Sequence, residues 1–156
     1  MQPHAFDEVA FFRALDHGGA RALLIGRRAL VLLGLPVLTA DYDFWIAIDD
    51  IEPFNAVAAQ FDLHPTRTPA EARRHGRYVL ENDEHVDVLV ARSVPTIDGQ
   101  TVLFDELWNA RGRVPLGDAV VCVPSIDGLI LTKQIRARPQ DLEDIRLLRI
   151  LKEACS

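Results

Sequence analysis

The chain has 156 residues, 49% hydrophobic and 26% charged, which suits one globular domain with a real core and leaves too little for two. Seventeen basic against 23 acidic residues give a formal net charge of -6, arguing against a broad nucleic-acid or membrane surface while leaving room for a local basic patch. Cys122 and Cys155 form neither a disulfide framework nor a zinc spacing, no apolar run approaches the ~20 residues of a membrane span, and the N-terminus shows no arginine-flanked apolar core, so the expectation is a cytoplasmic protein with reduced thiols.

In chain order, "FDEVAFFRALDHGG" places Phe6, Val9, Ala10 and Leu15 on a helical period and ends at Gly18-Gly19, predicting a first amphipathic helix. "RALLIG" is a short buried run closing on Gly26, and "RRALVLLG" suits a short buried helix ending at Gly34, with Pro36 just beyond. "DYDFWIAI" then reads as a strand with Asp41, Asp43, Trp45 and Ala47 on one face and Tyr42, Phe44, Ile46 and Ile48 on the other. Residues 51 to 62 read as a helix and His64 to His75 as a polar, arginine-containing stretch. "RYVLEN" and "HVDVLVA" read as two strands joined by a turn at Asn82-Asp83-Glu84.

The C-terminal third offers a mixed segment around "TVLFDELWNARGR", a strand "AVVCV" and two helices, "SIDGLILTKQIRA" and "PQDLEDIRLLRILKEA". Ser125 sits where an N-cap belongs, and Pro139 where a first helical residue belongs. The fold class expected is α/β: a short mixed sheet with helices mainly on one face and a C-terminal helical pair, in one domain over 1-156.

The carboxylates are the anomaly, because aspartate disfavours strands and a carboxylate entering a sheet interior needs compensation. Asp41 and Asp43, at i and i+2, stand about 6 to 7 Å apart at their α-carbons, a separation from which both reach a hard divalent cation. Asp87 places another carboxylate inside a hydrophobic strand, and a set of three suits two magnesium ions. A Gly26 turn opening a helix would supply backbone N-H groups to phosphates. The bland alternatives are a strand-start feature for Asp41 and Asp43, an Asp87 paired across the hairpin with Arg77, a plain turn at Gly26 and a solvated helix residue at Lys133. Arg138, Asp141 and Asp144 read as structural, with an Arg138 pair fixing the helix junction. Among the five histidines only His85 stands out, since it shares a strand face with Asp87.

The order "LLIGRRALVLLGLPVLTADYDFWI", then "HVDVLV", then "VPSIDGLILTKQIRARPQDLEDIRLL", resembles the nucleotidyltransferase superfamily with the polymerase-beta-like fold. Within it, the likeness is to the small prokaryotic members, the minimal nucleotidyltransferases and those of abortive-infection toxin-antitoxin systems. Gly26 matches the first glycine of their Gly-Gly or Gly-Ser turn, Asp41 and Asp43 the paired aspartates, and Asp87 the third acidic position. Lys133, Arg138, Asp141 and Asp144 are similar to a lysine and "RPKDxxD" ending of the small members. The resemblance implies a magnesium-dependent transfer of a nucleoside monophosphate from an NTP, ATP above all, to an acceptor hydroxyl. It implies catalytic and metal roles for Asp41, Asp43 and Asp87, and nucleotide binding by Gly26, Arg27, Thr39 and Lys133.

Two positions depart from the pattern. Arg27 occupies the place of the second small residue, where a guanidinium either binds phosphate or obstructs it, and Val37 stands where an arginine is common. Arg27 or Arg28 is the candidate replacement for that charge. The alternative reading is therefore a fold that has lost transfer activity and acts as a binding or regulatory module with a protein partner, as in toxin-antitoxin pairs. A third is a metal-dependent hydrolase using the same carboxylates on water.

Overall fold

Strand β2, Tyr42–Ile46, organises the molecule because its alternating side chains feed two separate apolar clusters. The computed structural model describes residues 6–155. Tyr42, Phe44 and Ile46 point into the main core, while Trp45, followed by Ala47, points into a smaller cluster behind the sheet. The run is shorter than "DYDFWIAI" suggested: Asp41 precedes the strand, and Ile48–Asp50 turns into a 3-10 segment.

The sheet has five strands in the order β1-β2-β5-β4-β3, with β1 at Ala22–Ile25, β3 at His64–Pro65, β4 at Arg77–Glu81 and β5 at His85–Val90. Only β2 and β5 run parallel; the other three pairings are antiparallel, so the sheet is mixed as expected. Two helices help close the main face, α1 at Glu8–Gly18 and α3 at Ile51–Ala59, with Phe11, Phe12, Phe44 and Phe54 forming a chain of tilted and edge-on rings. Asp7 caps α1 by accepting from the Ala10 N-H at 3.0 Å, and Gly19 ends it with a left-handed φ of 77°. Helix α2, Gly26–Leu32, buries Ala29 and Leu30 in the same core.

The stretch from His64 to His75 carries more structure than its polarity indicated, since Pro69–His75 forms helix α4. Its signal was a capping box: Thr68 accepts from the Glu71 N-H at 3.2 Å while Glu71 accepts from the Thr68 N-H at 3.0 Å. Only Ala72 is buried in it, so no apolar period advertised it. The mixed segment resolves into hairpin strands β6, Ser93–Pro95, and β7, Thr101–Leu103, then helix α5, Phe104–Asn109, and strand β8, Gly112–Leu116, paired with β9, Ala119–Val123. Phe104 and Leu107 of α5 and Val102 of β7 cover the far end of the second sheet face over Trp45. Helices α6, Ile126–Lys133, and α7, Pro139–Cys155, pack together as the C-terminal pair, with Ser125 capping α6 through the Gly128 N-H at 3.1 Å. Both cysteines are free thiols, and no described helix is long and apolar enough to cross a membrane.

Candidate active site

The second sheet face is covered at one end only, and the carboxylates stand at the other. The parallel register sets Asp43 of β2 directly beside Asp87 of β5, so the two side chains share that face. They line a cleft of about 450 Å³ bounded by the start of α2, the loop before β2 and the α6–α7 junction. Gly26, Arg27, Thr39, Asp41, Asp43, Asp87 and Lys133, scattered over more than a hundred positions of sequence, all face it.

Gly26 is required by geometry twice over. Its φ is +68°, and a Cβ there would stand 2.9 Å from the Asp43 Cβ and still nearer a carboxylate oxygen. The turn is therefore tight because Asp43 is packed against it. Thr39 and Asp41 form a small loop of their own, with the Asp41 N-H donating to Thr39 Oγ1 at 3.2 Å, which sets Asp41 at the cleft rim ahead of the strand.

The Asp43 carboxyl is held above the usual carboxylate range, first by burial and then by the negative charge of Asp87, with Asp41 adding to it and Lys133 and Arg77 opposing. Asp87 is not paired with Arg77; its Oδ2 lies 3.1 Å from His85 Nε2, the neighbour on the same strand face. His85 Nδ1 in turn sits 4.0 Å from Glu81 Oε1. Among the described residues no group of three or more His, Cys, Asp or Glu side chains is gathered tightly enough to hold a metal ion as it stands. The donor chemistry of the Asp43–Asp87 pair nonetheless fits a hard divalent cation: two oxygen-bearing side chains side by side, one resisting ionisation through burial first and the carboxylate beside it second.

The cations of the cleft differ from the sequence expectation. Lys133 is no solvated helix residue. It is 7% exposed, and its Nζ lies 2.8 Å from Oδ2 of Asp144, which is 0% exposed, and 3.9 Å from Oδ1 of Asp141. Arg27 neither lies across the glycine turn nor reaches freely into the cleft. Its Nη2 donates to Asp144 Oδ1 at 3.1 Å, its Nε to Oδ2 at 3.3 Å and its Nη1 to the Leu38 carbonyl at 3.4 Å. Arg138 pairs with Asp141 through both its backbone N-H and its Nε at 3.0 Å, the helix-junction pair expected. One buried carboxylate of α7 thus gathers Arg27 of α2 and Lys133 of α6, an arrangement the sequence reading missed although "RPQDLED" carried both acids at helical spacing.

No protein-family model and no curated protein matches the sequence. Solved structures do match by shape. A protein of Thermotoga maritima assigned as a nucleotidyltransferase superposes with a TM-score of 0.61 at 16% identity, over 92% of this chain and 89% of that one. ANT(2'')-Ia, in complex with adenylyl-2''-tobramycin, gives 0.60 at 13% identity over 89% and 83%. The lincosamide antibiotic adenylyltransferase LnuA, bound to lincomycin, gives 0.61 at 15% identity over 94% and 98%. The chain therefore has the nucleotidyltransferase fold.

Proposed function

We propose that this protein is a magnesium-dependent nucleotidyltransferase that moves a nucleoside monophosphate from an NTP, ATP foremost, to an acceptor hydroxyl. The observation that carries the reading is the in-register pair Asp43 and Asp87 beside the Gly26 turn, inside a cleft of the fold that ANT(2'')-Ia and LnuA share. Asp43 and Asp87, joined by Asp41 from the rim, are the residues that would hold magnesium. Bound there, magnesium would neutralise triphosphate charge and lower the pKa of the attacking hydroxyl. Asp43 is suited to this because its burial next to Asp87 makes a counter-charge favourable. His85 steadies Asp87 by engaging one carboxylate oxygen.

The absence of a side chain at Gly26 lets Asp43 pack against the start of α2, which brings that turn, its backbone N-H groups and Thr39 to the lining of the same cleft. Arg27 was the reason to consider a fold that has lost activity. Its guanidinium is drawn towards Asp144, so the turn itself is not obstructed, which supports a working site over a purely partner-binding module. Arg27 and Lys133 in this reading shape the cleft wall and hold α6 and α7 against α2.

Calorimetric titration with α,β-methylene-ATP, with and without magnesium, tests the reading. Magnesium-dependent binding that disappears in Asp43→Asn is the expected result. Absence of binding by the wild-type protein with adenine, guanine, cytosine and uracil analogues alike would refute it.

A further inference from the structure

Resting on the nucleotidyltransferase reading, the question that the ionic cluster opens is which cations meet the phosphates. Arg27 is committed to Asp144 and the Leu38 carbonyl, Lys133 to Asp144, and Arg138 to Asp141. Swinging Arg27 or Lys133 to a ligand would strip a fully buried carboxylate of a counter-charge, which is a large penalty. Two other guanidiniums line the same cleft, Arg77 and Arg136, and neither side chain makes a hydrogen bond or ion pair among the described residues.

Their placement suits the task. The antiparallel register pairs Arg77 with Leu89 and Val79 with Asp87, so Arg77 lies on the sheet face of Asp87 and Asp43, one step away on the diagonal. Asp87 is engaged by His85, which leaves Arg77 unspent. Arg136 comes from the turn between α6 and α7, on the wall formed by the C-terminal helices. An exposed guanidinium keeps its hydration while the cleft is empty and forms planar, two-pronged hydrogen bonds to phosphate oxygens when it fills.

We propose that Arg77 and Arg136 are the phosphate-binding residues of this cleft, taking the role that the sequence pattern assigns to the turn position held by Arg27. A polyphosphate bearing magnesium, rather than a nucleic-acid backbone, is the matching ligand. The two guanidiniums share the cleft with four carboxylates, Asp41, Asp43, Asp87 and Asp141, and the chain as a whole carries a formal charge of -6.

The test is calorimetric titration of wild type, Arg77→Gln, Arg136→Gln and Arg27→Gln with inorganic tripolyphosphate and with α,β-methylene-ATP, in magnesium, alongside thermal melts. Arg77→Gln and Arg136→Gln should each weaken both ligands by about tenfold or more, the loss of one charge-assisted contact, with the melting temperature unchanged. Arg27→Gln should lower the melting temperature instead. Wild-type affinity for both ligands in either glutamine variant of Arg77 or Arg136 overturns the assignment and leaves the nucleotidyltransferase reading standing. Failure of the wild-type protein to bind either ligand with magnesium overturns that reading, and this assignment with it.

Discussion

Asp43→Asn should make the metal-free protein more stable near neutral pH. The Asp43 carboxyl is held above its ordinary value by burial, then by Asp87, so the fold favours its neutral form. For an acid raised in this way, the contribution to stability is fully present below the unfolded-state value and is lost as pH rises through the folded one. In its ionised form Asp43 therefore strains the fold. Adjacent strands lie about 4.8 Å apart, and two unit charges at roughly 5 Å repel by about 1–3 kcal/mol for effective dielectrics between bulk water and protein surface. Asparagine has the same shape without the charge. In a chain of this length each kcal/mol moves the melting temperature by about 2–4 °C, so a rise of several degrees is expected in chelator. Circular dichroism melts near neutral pH and at about pH 3.5, below the ordinary carboxylate value, measure it. The gain should shrink at the acid pH, where the raised Asp43 carboxyl is largely protonated, and magnesium should raise the melting temperature of wild type but not of the variant. A variant that melts at or below wild type in chelator near neutrality would refute the electrostatic account, as would a gain that persists undiminished in acid.

Asp144→Ala leaves Lys133 buried without its nearest carboxylate and releases Arg27, so a loss of about 3–5 kcal/mol is expected in urea melts; near-neutral stability would show that the cluster is incidental. Gly26→Ala forces a side chain into a left-handed residue and against Asp43, and should cost about 1–2 kcal/mol from backbone strain alone while abolishing binding of a triphosphate analogue. Unchanged binding would separate the glycine turn from the ligand. His85→Ala frees Asp87 Oδ2 and should weaken magnesium affinity about tenfold, with His85→Gln recovering part of it in a magnesium titration.

The backbone of this site was legible and its charge network was not. Alternation placed Asp43 and Trp45 on one face and Phe44 and Ile46 on the other, because a half-covered strand writes its burial into every second residue. Asp87 was visible as a polar intrusion in a run of valines. No local pattern shows which strands become neighbours, so the Asp43–Asp87 register needed the fold. The same holds for α4, β6, β7 and β8, which are short and bury few side chains, so periodicity is faint where capping and pairing decide the structure. Lys133 misleads for a related reason: lysine is nearly always solvated, and only the long-range arrival of Asp144 makes its burial tolerable.

That arrival links the ends of the chain to the cleft. Arg27 and Asp144 are 117 positions apart, yet their bond fixes the start of α2 against α7, while Lys133 ties α6 to the same carboxylate. A buried ionic group of this kind is weak as a source of net stability, since desolvation offsets much of the attraction. Its value lies in geometry, because the hydrogen-bonding directions of one carboxylate satisfy two donors on two different helices only in one arrangement. The start of α2 carries the Gly26 turn, and the α6–α7 junction carries Arg136 and Arg138. The cluster therefore sets the distance across the cleft between the glycine turn and the arginine-bearing wall. On the proposed reading, Arg27, read from sequence as a residue that either grips phosphate or blocks it, would work one layer further back, through its bond to Asp144, fixing the spacing of the two sides between which a phosphate chain would lie.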